Sequence, residues 1–115
     1  MFRRRISGIL MAQFDVYPNP SKTSRSFYPY LVDVQSSHLS ELATRIVIPL
    51  GRLSPFGNQA MQGLTPEVSF NGQSLLLLTP QISSMSTKQL NSPAGSLTDF
   101  RDQIVGALDF AITGI

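Results

Sequence analysis

The chain of 115 residues has no cysteine, one histidine and few charges, and each shortage excludes something. Without cysteine there is no disulfide framework and no thiolate metal site, as a reducing cytoplasm permits. With His38 as the sole histidine, no histidine-based metal cluster can form within one chain. Charged residues make up 14%, against a usual figure of about 25%. A surface so poor in charge suits a protein that buries more of itself in an oligomer. No run approaches the roughly 18 apolar residues of a membrane span. No glycine-rich phosphate loop stands between a strand and a helix, and no serine sits in a Gly-x-Ser-x-Gly elbow.

The net charge of +2 is too small to mark a nucleic-acid binder, and Arg3, Arg4 and Arg5 account for all of it. That run reads as a solvated end. Ile6 to Ala12 is too short and interrupted for the apolar part of a signal peptide. Residues 1–10 are therefore expected to be a dispensable extension, or untranslated with Met11 as initiator, and 11–115 a single domain.

Along that domain, Gln13 to Tyr17 alternates polar and apolar as a half-buried strand does. A loop follows to Ser26, then strands over Tyr28–Ser36 and Thr44–Leu50, and an irregular connection over 51–66. Asn71-Gly72 is the pair suited to a type I′ turn, and it predicts a hairpin between Glu67–Phe70 and Ser74–Leu78. The four consecutive leucines predict a second strand buried on both faces. Met85–Leu90 reads as a short strand. The last element is a helix from Ser96 to Ile112, with Ser96 as N-cap, Asp99 completing a capping box, and Leu97, Phe100, Ile104, Leu108, Ala111 and Ile112 on one face. Phe110 falls off that face and is a candidate dimer contact. Short antiparallel strands followed by one helix define an α+β domain, mainly antiparallel β.

The helix ends with unusual electrostatics. Asp109 and the terminal carboxylate lie in its last turns, with no basic residue after Arg101. Negative groups there oppose the helix dipole, each costing roughly 0.3–1 kcal/mol. Two readings follow: Gly114 is only a C-cap with Ile115 packed on the sheet, or the end is an anionic tip with an apolar anchor, offered to a basic partner. With no catalytic constellation visible, the residues read as a binding protein and not an enzyme.

Gln13-Phe14-x-Val16-Tyr17, Leu31-Val32-Asp33-Val34-Gln35-Ser36, Arg45-x-Val47-Ile48-Pro49-Leu50 and the closing Gly114-Ile115 together resemble the CcdB family, toxins of the ccd toxin–antitoxin module. The resemblance covers residues 11–115 in order. It implies a homodimer with the SH3-like, mostly antiparallel barrel and C-terminal helix shared with the MazF and Kid toxins. It implies a cytoplasmic poison without cofactor, lodged on the A subunit of DNA gyrase and trapping the cleaved DNA complex. A CcdA-like antitoxin would neutralise it through a segment that folds on binding. The complex of the two would repress its own operon, the only route to DNA. The family's gyrase-contacting Trp-Gly-Ile falls on Thr113, Gly114 and Ile115, with threonine in place of tryptophan. Asp109 replaces a family asparagine, and His38 and Leu39 occupy two apolar contact positions. Two alternatives are a homologue that only binds antitoxin, and an endoribonuclease of the MazF type, for which His38 and Arg45 are the available side chains.

Overall fold

The computed structural model describes residues 4–6, 9–56 and 61–114, with side chains over 12–54 and 61–114. Among the described residues nine strands and two α-helices follow in order. Strands β1 (Arg4–Ile6) and β2 (Ile9–Met11) pair, among the described residues, only with each other, and all of their residues but Met11 lie on the stretch expected to be an extension. The main sheet holds β3 (Asp15–Pro18), β4 (Tyr30–Asp33), β5 (Thr44–Arg52), β6 (Glu67–Phe70), β7 (Gln73–Leu77), β8 (Ser83–Ser86) and β9 (Gly95–Ser96). Every pairing is antiparallel, in the order β6-β7-β5-β4-β3-β9. The first half of β5 pairs with β8 and the second half with β7, so this long strand organises the sheet. Helix α1 (Leu53–Phe56) is a single irregular turn, and α2 (Arg101–Thr113) closes the domain.

The sheet curls until its outermost strands meet. A Cβ on Gly95 of β9 would lie 2.8 Å from Cε1 of Phe70 on β6, so only glycine lets the two edges approach this closely. Tyr30 supports the Phe70 ring edge-on, with centroids 5.0 Å apart. This is the α+β, mainly antiparallel architecture expected.

Two cores follow from the alternation of side chains. On one face Val16, Val32, Ile48, Leu50, Leu75 and Leu77 pack against Ile104 and Ala107 of α2. On the other, Tyr17, Leu31, Val47 and Leu90 form a smaller cluster. The leucine run divides as its double burial requires: Leu75 and Leu77 face the main core, Leu76 and Leu78 a satellite with Tyr28. Asn71 and Gly72 take φ of 53° and 76°, both positive as a type I′ turn demands.

Several boundaries move. The first strand begins at Asp15 because Phe14 sits at φ 72° in a turn closed by Asp15 N–H on Ala12 O. The second is shorter, Tyr30–Asp33, and the third runs on to Arg52. Part of the 51–66 connection, 57–60, lies outside the described residues. Met85–Leu90 divides: β8 ends at Ser86, and Thr87–Gln89 forms a 3₁₀ turn capped by Ser86 Oγ.

The helix prediction needs the largest correction. Ser96 is paired in β9 and its hydroxyl accepts from Thr98 N–H; a 3₁₀ turn spans Thr98–Phe100, and α2 starts at Arg101 without a side-chain cap. Asp99 therefore completes no capping box. The apolar face is also shorter than predicted. Leu97, Ile104 and Ala107 are buried and Phe100 and Leu108 half-buried, but Ala111 and Ile112 are exposed because the last turn runs past the core. Among the described residues no helix is long and apolar enough to cross a membrane.

Candidate functional site

The residues singled out by the sequence fall in two places. The first is the end of α2. Gly114 adopts φ 76°, ψ 16°, and its N–H donates to Phe110 O, which ends the helix in a left-handed cap. Thr113 Oγ1 donates back to Asp109 O at 2.6 Å, one turn earlier in the helix. Asp109, Thr113 and Gly114 are exposed, and Ile112 shows 77% of its surface. The last turn contains no basic side chain, and among the described residues Asp109 has no ion-pair partner. The tip is thus polar and uncompensated, with a large apolar side chain beside it. Ile115 lies outside the described residues.

Phe110 is 39% exposed and stands between two surface hollows. One, of about 540 Å³, is bounded by Gln62, Pro66, Asp102, Gln103 and Gly106; the other, about 290 Å³, by Met61, Leu64, Pro80 and Ala111. Phe110 leaves the core stripe, as its helical position requires.

The second place is the connection from β4 to β5. Ser36 caps a 3₁₀ turn over Ser37–Leu39 by accepting from His38 N–H. His38 and Leu39 are both exposed, Leu39 by 47%. Among the described residues no hydrogen bond or ion pair joins this turn to the end of α2.

Beneath the turn lies a polar group that sequence reasoning passed over. Arg45 Nε donates to Asp33 Oδ2 at 2.7 Å, with both side chains fully buried. Gln35, also buried, donates its N–H to Asp33 Oδ1, and its side chain spans Leu39 O and Ile46 N–H at 3.0 Å each. Burial pushes the Asp33 carboxyl above its ordinary value. The Arg45 hydrogen bond and charge and the Gln35 N–H oppose this, while the Asp15 charge adds to it. The signal was available: Asp33 and Arg45 occupy inward positions of neighbouring strands, beside Leu31 and Val47, where apolar side chains are the rule. Opposite charges at two such positions imply a buried pair.

The arrangement also bears on catalysis. Arg45, one of two side chains available to an endoribonuclease, is wholly enclosed and bound to Asp33. Among the described residues no cluster of three potential metal ligands occurs. No curated protein matches the chain. Residues 13–114 match the sequence model described as CcdB protein, a span that takes in the whole main sheet, the His38–Leu39 turn and α2, and the chain therefore belongs to the CcdB family.

Proposed function

We propose that the chain is the toxin of a toxin–antitoxin module, acting in the cytoplasm as a homodimer on the A subunit of DNA gyrase and trapping the complex in which DNA is cleaved. A CcdA-like antitoxin neutralises it, and the two together repress their operon, so that DNA is met only through that complex. The observation that carries the reading is the family match over 13–114. The surface of α2 supports it independently: an exposed end that bears Asp109, Ile112 and Thr113 without a basic residue is poor design for helix stability alone.

In this reading Thr113, Gly114, Ile115 and Asp109 form one gyrase contact, and His38 and Leu39 another. Phe110, with the apolar hollow bounded by Met61, Leu64 and Pro80, supplies the dimer contact. The ribonuclease alternative is disfavoured by the burial of Arg45, which no RNA phosphate can reach.

Induction of the chain without antitoxin is expected to stop growth and trigger a DNA-damage response, and removal of Gly114 and Ile115 to abolish both. Undiminished toxicity of the truncated chain would refute the assigned site. Binding of antitoxin without any effect on growth would favour the antitoxin-binding homologue instead.

A further inference from the structure

The polar group under the β4–β5 connection has a form that stability alone does not explain. A buried ion pair is commonly no more stabilising than apolar side chains of the same volume. What distinguishes this one is where its other donors point. Gln35 Nε2 donates to Leu39 O at 3.0 Å, and Arg45 Nη1 reaches the same oxygen at 3.4 Å. Arg45 Nη2 reaches Gln35 O at 3.4 Å, so the guanidinium spans both ends of the turn that carries His38 and Leu39. Gln35 Oε1 accepts from Ile46 N–H and ties the same connection to β5. From the other side, Gln13 N–H donates to Ser37 Oγ at 3.3 Å and Gln13 Nε2 to Val34 O at 3.2 Å. The backbone of an exposed turn is thus held by side chains that are themselves buried: Gln35 is 3% exposed and Arg45 0%, against 47% for Leu39.

We propose that Gln35 and Arg45 are positioning residues that fix the Ser37–Leu39 turn in one geometry, so that Leu39 and His38 are presented ready-made to a protein partner. The identity of that partner as the gyrase A subunit rests on the reading above; the fixing of the turn does not. Ordering a flexible turn during association subtracts from affinity, and a turn fixed beforehand avoids that loss. The chemistry matches the task. A planar guanidinium reaches two carbonyls and a carboxylate from three separate nitrogens held in a rigid fork, whereas the three donors of a lysine ammonium share one nitrogen.

Two substitutions test this. Gln35→Met keeps the shape and removes both side-chain hydrogen bonds. Arg45→Lys keeps a charge beside Asp33 and removes the reach to the carbonyls. The first readout is amide hydrogen exchange at His38, Leu39 and Leu42, compared with Leu75–Leu77 of the hairpin. Positioning predicts exchange about tenfold faster in the turn, the equivalent of one lost hydrogen bond, with the hairpin unchanged. Equal acceleration in both regions in both variants would reduce the group to general stability and overturn the proposal. The second readout is affinity for a purified gyrase A fragment. Gln35→Met is expected to bind about tenfold more weakly. Combined with His38→Ala and Leu39→Ala together it should bind no more weakly than that pair alone, because neither contact side chain remains to be positioned. Additive losses would contradict the proposal. If the unaltered chain binds no gyrase A, the gyrase reading fails, and hydrogen exchange at the turn alone decides whether the residues position it.

Discussion

Replacing Asp33 with alanine leaves the Arg45 guanidinium wholly buried with its charge and without its carboxylate. Arginine cannot shed its proton to escape this. Breaking a buried pair from one side costs about 3–5 kcal/mol, a large share of a stability expected to lie near 5–15 kcal/mol. At the lower figure Tm should fall by more than about 10 °C. Removing both charges, as Asp33→Leu with Arg45→Met, should recover most of that loss, short of the roughly 1–3 kcal/mol for leaving the Gln35 N–H without its acceptor. Chemical denaturation followed by circular dichroism measures both. A single variant that loses less than about 1 kcal/mol, or a double that falls as far as the single, would refute the account of the pair. Protonation is not equivalent to removal, because a protonated Asp33 still accepts from Arg45 Nε and alanine cannot. Burial raises the Asp33 carboxyl above its ordinary 3.8, so the folded chain takes up this proton before the unfolded chain does. The resulting contribution is fully present below 3.8 and is lost as pH rises through the folded value. Relative to Asp33→Asn, the unaltered chain should gain stability as pH falls through the carboxylate range; a loss would mean that the Arg45 charge outweighs burial.

Three further outcomes follow from the geometry. Gly95→Ala should destabilise by about 1–3 kcal/mol through collision with the Phe70 ring, and a thermal melt unchanged from the parent would show that the sheet edges do not meet there. Gly72→Ala, at φ 76°, should cost roughly 1–2 kcal/mol in denaturant titration, and a neutral result would contradict the type I′ turn. Asp109→Lys should stabilise α2 by roughly 0.3–1 kcal/mol while weakening binding to gyrase A; tighter binding would sink the anionic-tip argument.

The elements most legible in the sequence were those with a local cause. Asn71-Gly72 dictated its turn, and four consecutive leucines beside it pointed to a strand covered on both faces. Gly114 served as the left-handed cap that glycine allows. What escaped prediction was tertiary. Ser96 has the chemistry of an N-cap, but pairing with Asp15 in the sheet claimed it and delayed the helix to Arg101. Phe14 belongs to an alternating pattern, yet a turn stabilised by Asp15 holds it at positive φ outside the strand. Ile112 continues the helical stripe in sequence and ends exposed, because the last turn of the helix runs past the buried residues of the core. Of the candidate site, the helix end was visible as an anomaly of charge. The turn at His38 and Leu39 was visible only through family resemblance, since Arg45, which helps to shape it, lies further along the chain on β5.

The most direct test of the central claim is a cleavage assay with purified gyrase, closed circular plasmid and the purified chain. The account predicts accumulation of linear DNA on protein denaturation, dependent on the chain and absent when Gly114 and Ile115 are removed. Thr113→Trp, restoring the family's aromatic anchor, should act at concentrations on the order of thirtyfold lower. Plasmid that stays closed, with chain in excess over gyrase and with Thr113→Trp as well, would contradict the assignment of gyrase as the target.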